Sequence, residues 1–156
     1  MKKLAVFLLL FGAIACGAKT EIPKKVMKTF KSKYKRAVNA EWISGQGVFE
    51  VSFRHETFEK VANFQEDGTW IETITYLSSD QIMTCITDYV DEYHYGGQII
   101  EAEFVENPDK EIYSIIVEGE IESYDEDPYD EDNRRENHEE SIQLMFDADC
   151  SFLEGE

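Results

Sequence analysis

Acidic side chains are the residues of this chain whose types and spacing offer chemistry. The chain has 33 Asp and Glu against 15 Lys and Arg, and its formal net charge is −18 at pH 7. A segment at 119–140 concentrates these acids against only two arginines, Arg134 and Arg135. Its candidate metal ligands are Asp125, Asp127, Asp130, Asp132 and Glu136.

Calcium is the cation that such a segment would bind, because hard cations take several oxygen ligands. Asp125, Asp127 and Glu136 occupy positions one, three and twelve of a helix-loop-helix calcium loop. Tyr129 at position five and Asp130 at position six depart from that pattern. The alternative is a mobile hairpin loop, kept soluble and extended by its own repulsion. A second acidic cluster consists of Asp147 and Asp149 beside Asp67, in predicted turns.

The sequence gives only weak evidence for a group of catalytic residues. The spacing of His55, His94 and His138 makes no ligand pair and no triad. The pairs Glu41 with Glu50 and Glu101 with Glu103 are interpreted as solvated glutamates on the polar faces of strands. We therefore expect no enzyme, and the strong negative charge excludes nucleic acid as a partner.

Residues 1–18 form a predicted signal peptide. Lys2 and Lys3 precede the apolar run Leu4–Phe11, which is too short to span a bilayer. Ala13-Ile14-Ala15 fits an ordinary secretory cleavage site. Followed by Cys16, the same stretch resembles a bacterial lipobox, in which Cys16 would be acylated. Both alternatives place the protein outside the cytoplasm, in the periplasm or as a lipoprotein whose membrane contact is the lipid anchor.

Cys85 and Cys150 remain once Cys16 is set aside. Export permits a disulfide. Cys85 falls at an apolar helix position and Cys150 in a turn, so the sequence favours two unpaired thiols.

The rest of the chain contains the same pattern of helix and strand signals twice, which predicts an α+β fold of tandem repeats. Each unit is a helix followed by four antiparallel strands. The units cover 19–76 and 77–156, and the acidic insertion at 119–140 interrupts the second. The helices match at an offset of 59, which pairs Cys85 with Val26. Two separate sheets and one continuous sheet are both compatible with this pattern.

The two predicted helices differ in sign. Seven bases and no acid lie between residues 23 and 36, whereas residues 80–93 carry four acids and no base. The basic helix could steer the protein toward an anionic partner or lipid headgroups. Alternatively, its lysines are a solvated face.

The sheet face away from the helices is the remaining candidate surface. Phe49, Val51 and Phe53 alternate toward the helix, so Glu50 and Ser52 would point the other way. Trp42 and Trp70 could anchor a partner there, although core packing is the alternative for both.

Several of these motifs resemble the PepSY-like family of bacterial secreted proteins, also described as β-lactamase-inhibitor-like. The resemblance covers Glu21 to Leu153 outside the acidic insertion. Its motifs are the helix start Ile22-Pro23-Lys24-Lys25-Val26 with Phe30 and Tyr34, Asn39-Ala40-x-Trp42, Gly47-x-Phe49-Glu50-Val51, and Phe64-x-x-Asp67-Gly68-x-Trp70. Cys150 stands where the turn of the family has glycine, and a non-glycine residue at positive φ is unfavourable.

The resemblance implies a helix-plus-antiparallel-sheet fold, often in tandem, at the periplasm or cell surface. It also implies a non-enzymatic role in binding or inhibiting another protein. No functional residue of the family can be carried over to this sequence. We expect a binding or regulatory module of the cell envelope with an unknown envelope protein as its partner.

Overall fold

A computed structural model describes residues 21–120 and 139–155 of the chain. The first half contains helix α1 (Lys24–Lys33) and strands β1 (Val38–Gly45), β2 (Val48–His55), β3 (Phe58–Gln65) and β4 (Trp70–Tyr76). The second half contains a 3-10 turn (Ser79–Gln81), helix α2 (Thr84–Tyr93) and strands β5 (Gln98–Glu106), β6 (Glu111–Glu120), β7 (Glu139–Asp147) and β8 (Phe152–Gly155). The signal segment, Cys16 and the five candidate calcium ligands lie outside the described residues.

All eight strands form one antiparallel sheet in chain order, β1 to β8. The sheet is continuous because β4 pairs with β5, with Ile74 opposite Val105. Residues opposite each other in a ladder share a face. Ala62 pairs with Thr73 and Thr73 with Glu106, so the core residues of both halves lie on the same face. Both helices therefore cover one side of the sheet.

Each helix packs on its own hydrophobic core. Under α1, Val26 and Phe30 contact a cluster that includes Val51, Phe53 and Phe64. The Phe30 ring meets the Trp42 and Phe53 rings edge-on, with centroids 5.2 and 5.1 Å away. Under α2, the cluster consists of Ile86, Val90, Ala102, Ile115, Val117, Leu144 and Phe146. Burial of each large side chain stabilises the fold by about 1.5–3 kcal/mol, so each half has its own source of stability.

The helices are shorter than the sequence predicts. Apolar residues recur at helical spacing from Ile22 to Ala37, which predicts a helix over that range, but α1 ends at Lys33 and Arg36 turns to a φ of 78°. Ser78, Ser79 and Asp80 are capping residues by type, which predicts a second helix from about residue 80, yet α2 begins only at Thr84. Ser78 and Gln81 exchange side-chain and backbone hydrogen bonds around the 3-10 turn. This capping box completes a separate short turn, and extended backbone at Ile82 and Met83 follows it.

Cys85 and Cys150 form a disulfide, with their Cα atoms 6.3 Å apart, so the prediction of two unpaired thiols is wrong. The buried positions of α1 and α2 match at an offset of 60, since Val26 corresponds to Ile86 and Phe30 to Val90. Cys85 is therefore the counterpart of exposed Lys25 and not of buried Val26.

The contacts of Lys25 explain the pairing. A Cβ atom on Gly68 would lie 2.9 Å from the Lys25 carbonyl carbon, so helix and turn are in close contact there. The turn of Cys150 repeats that of Gly68, since its amide donates to the Asp147 carbonyl as that of Gly68 donates to Gln65. Cys150 also takes a positive φ, 66°. The same approach of helix and turn brings Cys85 within disulfide reach of Cys150.

The strands around the acidic insertion are longer than predicted. The sequence predicts a loop over 119–140, but β6 continues to Glu120 and β7 begins at Glu139. Gly119 pairs with Glu140 and Glu120 with Glu139. No helix within residues 21–120 and 139–155 has the length and apolar character that a membrane crossing requires.

Candidate binding surface

The face of the sheet opposite the helices is the candidate site, and we call it the open face. It carries a row of apolar side chains that are directly opposite one another on four successive strands. The row is Val61, Ile74, Val105 and Ile112. Ile112 is only 7% exposed although no helix covers it, so its neighbours on this face shield it. The row therefore forms a small apolar floor.

Carboxylates surround this floor. Among the side chains that the structure describes, strand register places eight glutamates on the open face: Glu41, Glu50, Glu59, Glu72, Glu101, Glu103, Glu118 and Glu154. The described strands place one cation on the same face, Arg54, and it forms an exposed ion pair with Glu59 at 2.6 Å. The open face is therefore strongly acidic, and its charge is not compensated within the described part of the chain.

Glu103 is the carboxyl with the most perturbed surroundings. It lies on β5 opposite Ser114 and is half-buried, whereas Glu101 is exposed. Its surroundings raise the pKa of Glu103 to about 7. Burial makes the largest contribution, followed by the charge of Glu101, a hydrogen bond to the Glu101 side chain and the charge of Glu72. The interpretation of this pair as two solvated glutamates is thus incorrect for Glu103. Glu103 therefore keeps its proton to a higher pH than an exposed glutamate does.

A second carboxyl pair lies across β2, β3 and β4. Burial and the charge of Glu72 raise the pKa of Glu50 above its ordinary value. Asn63, opposite both, donates to the Glu72 carboxylate at 3.0 Å. Burial and the charges of Glu103, Glu101 and Glu50 likewise raise the pKa of the Tyr76 hydroxyl. Tyr76 thus lies among the carboxylates, which interact across four strands.

The sequence pairs Glu50 with Glu41, and the structure does not bring these two together. Glu41 is opposite Ser52, and Glu50 is opposite Ile43 and Asn63. The partnership of Glu50 with Glu72 was missed, although the tight turn at Glu66–Gly68 fixes the register that creates it. Counting opposite positions on β3 and β4 outward from this turn would have placed Glu72 beside Asn63, and hence close to Glu50.

The other sequence candidates lie elsewhere. The His55 ring is within 3.0 Å of the Lys35 carbonyl, below α1 and away from the open face. Asp67 accepts a hydrogen bond from the Thr69 amide, and Asp147 accepts from those of Asp149 and Ser151. These carboxylates stabilise their own turns. Within the described ranges, no group of three His, Cys, Asp or Glu side chains has the arrangement of a metal site.

Both tryptophans belong to the helix side of the sheet. Trp42 and Trp70 pack against the core under α1. The Trp70 indole donates to the Thr73 hydroxyl at 2.9 Å, and the Lys33 ammonium lies 3.6 Å from its ring centroid. The core alternative is therefore the correct one, and the tryptophans do not anchor a partner on the open face.

A groove of about 550 Å³ between α2 and the start of β5 is a further concave feature. Its apolar lining includes Leu77, Ile82, Val90 and Ile99, and Asp91 and Glu101 add two carboxylates. Glu101 thus borders both the groove and the open face.

Comparison with solved structures identifies the fold. A DUF2874 family protein from Bacteroides ovatus is 22% identical with a TM-score of 0.67, covering 88% of both chains. A BLIP-like protein from Bacteroides fragilis is 14% identical with a TM-score of 0.69, covering 88% of this chain and 86% of its own. A protein of Bacteroides eggerthii, named provisionally as periplasmic, is 18% identical with a TM-score of 0.65, covering 88% and 89%.

The chain therefore has an α+β fold of BLIP-like type, an antiparallel sheet with two helices. At these identities the likeness concerns the fold alone. The sequence matches no protein-family model and no curated protein.

Proposed function

We propose that the chain is an exported, non-catalytic module of a bacterial envelope that binds another protein through the open face. The observation that carries this proposal is the eight-stranded sheet with both helices on one side. An antiparallel sheet that packs one face on a core normally keeps its solvated face polar. Here an apolar row remains on the uncovered side.

The chemistry of the open face supports one kind of partner. The row of Val61, Ile74, Val105 and Ile112 supplies apolar area, which makes the largest contribution to association. The glutamates around it would attract a basic surface and repel acidic ones, which favours encounter with the correct partner. We therefore propose a partner whose docking segment combines apolar side chains with lysine or arginine.

Membership of the PepSY-like family is part of the same proposal. Both halves have one helix followed by four strands, and the last two strands of each shift register at the same place, after Asn63 and after Met145. These correspondences support a duplicated unit. The predicted signal segment supports export to the periplasm, and acylation of Cys16 stays an open alternative to simple cleavage.

Site-specific photocrosslinking in the producing bacterium tests the proposal. A photoreactive residue replaces Ser52, which is exposed on the open face, and in a matched variant it replaces Asp88, which is exposed on α2. We expect a discrete protein adduct from position 52 and none from position 88. Glu101→Lys should weaken the adduct from position 52, because it opposes a basic partner.

Two results would contradict the proposal. One is the absence of any adduct from position 52 while the variant is exported and folded. The other is the same adduct from both positions, which would place the contact elsewhere or indicate non-specific capture.

A further inference from the structure

Helix α1 carries a line of lysines that the proposed function does not use. Lys24, Lys28 and Lys31 follow one another at helical spacings of four and three, so they lie on one face. We call these three residues the basic stripe. Val26 and Phe30, which are 0% and 5% exposed, hold the opposite side of α1 against the sheet. All three lysines of the stripe are exposed.

The stripe has no acidic partner within the described structure. No Asp or Glu occurs from residue 23 to residue 36, so the helix itself supplies no ion pair. Among the side chains that the structure describes, the ion pairs are Arg54 with Glu59 and Lys60 with Glu106. Lys35 and Arg36 are also exposed and extend the positive region around the stripe, whereas Lys25 lies near the Asp67 carboxylate.

The remaining surfaces have the opposite sign. Helix α2 lies on the same side of the sheet and carries Asp88, Asp91 and Glu92 without a base. The open face carries the glutamates described above. Positive charge is thus concentrated on the surface of α1, in a chain whose formal net charge is −18. At physiological salt, charges more than about 8–10 Å from a contact are largely screened, so the local sign of α1 decides what it attracts.

We infer that the basic stripe docks on the anionic headgroups of a membrane surface. Headgroups offer a plane of negative charge that matches an exposed lysine row on a helix, and lysines need no fixed geometry to bind it. The described chain begins at Glu21, directly before α1. Lys24 follows Cys16 by eight residues, a span of at most about 28 Å. Where Cys16 is acylated, the stripe is the second signal that stable anchoring needs.

This docking also orients the molecule. The stripe lies on the outer side of α1, and the open face is on the other side of the sheet. A membrane at α1 therefore leaves the open face exposed to the aqueous phase. An acidic protein surface is the competing occupant of the stripe, and vesicles that contain lipid alone separate the two.

Vesicle co-sedimentation of the full chain is the test. The vesicles contain either phosphatidylcholine alone or phosphatidylcholine with 30% phosphatidylglycerol. The stripe variant is Lys24→Gln with Lys28→Gln and Lys31→Gln. The matched control, Lys33→Gln with Arg54→Gln and Lys110→Gln, loses the same charge from other positions. Circular dichroism verifies that all proteins are folded, and the neutral vesicles measure the contribution of the N-terminal segment.

Each lysine at an anionic surface raises partitioning about fivefold, so the stripe variant should bind anionic vesicles about a hundredfold more weakly. The control should keep most of its binding, and 1 M salt should abolish the difference. Equal binding of the native chain to both vesicle types would overturn the inference and leave an acidic protein as the occupant. An equal loss in stripe and control variants would overturn it as well.

Discussion

Replacing Glu103 by glutamine should stabilise the protein at alkaline pH and leave its stability at acid pH unchanged. The folded state raises the pKa of Glu103 to about 7 from an ordinary 4.5. Because the folded state holds the proton more tightly, ionisation favours unfolding. The penalty is absent below about pH 4.5, grows as the pH rises to 7, and is fully present above that. Glutamine keeps the neutral shape and cannot ionise.

The magnitude follows from the size of the shift. One pKa unit corresponds to about 1.4 kcal/mol, which gives a ceiling of about 3 kcal/mol for the shift to about 7. Glu103 is only half-buried, and solvent screens such groups. We therefore expect a gain of about 1–2 kcal/mol at pH 8, which for a chain of this size raises Tm by about 3–8 °C.

Thermal unfolding at pH 4 and pH 8 measures the effect. The control is Glu41→Gln, which removes an exposed carboxylate from the same face, opposite Ser52. It should change Tm by less than about 2 °C at either pH. If Glu103→Gln gave the same gain at pH 4 as at pH 8, or no gain at all, the reasoning about the buried carboxyl pair would be refuted.

Three further predictions concern the turns and the acidic segment. Reduction of the Cys85–Cys150 disulfide, which spans 65 residues, should lower the free energy of unfolding by about 4 kcal/mol on chain entropy alone; urea unfolding with and without reductant checks this, and no change would mean that the thiols are unpaired. Gly68→Ala should lower the free energy of unfolding more than Gly47→Ala does in the same assay, because both glycines have a positive φ but only at Gly68 would the added Cβ lie 2.9 Å from the backbone of Lys25. An equal loss in the two variants would contradict this close contact. Calorimetry with millimolar calcium should give heat that the triple variant Asp125→Asn, Asp127→Asn, Glu136→Gln loses, and no heat from the native chain would refute the calcium hypothesis.

The sequence predicts much of the fold because hydrophobic periodicity is local information. Alternation in Val48–Phe53 and the turn at Gly68 give β2, the β3–β4 hairpin and the core side of Phe53. Helix ends are less predictable, since capping hydrogen bonds decide them within one turn. Ser78 could cap a helix or a 3-10 turn by the same rule, and the sequence does not distinguish the two.

The cysteine pair illustrates why a one-residue error matters on a helix. An offset of 59 places Cys85 at a buried position, and the true offset of 60 places it beside the β7–β8 turn. One residue corresponds to a rotation of about 100° on a helix. The hydrophobic pattern of α2 alone does not fix that rotation. Apolar residues such as Ile86 and Tyr89 lie on both sides of the line of residues that could face the core.

The candidate site was harder to predict because its properties arise between strands. Glu101 and Glu103 are visible as a pair in the sequence, yet the effect of Glu72 on Glu103 depends on the β4–β5 pairing. That pairing joins the two halves, and no short-range pattern specifies it.

The same pairing links stability to the proposed function. Because β4 lies beside β5, carboxylates from both halves meet on one face, and their mutual repulsion costs folding free energy. If Glu103 had only a structural role, a neutral residue in its place would remove this cost without loss of function. A binding surface gains from it, because a basic segment that docks beside Glu103 relieves the repulsion and favours ionisation. In the proposed complex, relief of this repulsion would add to the affinity for a cationic partner, which would connect the raised pKa of Glu103 to the acidic character of the open face.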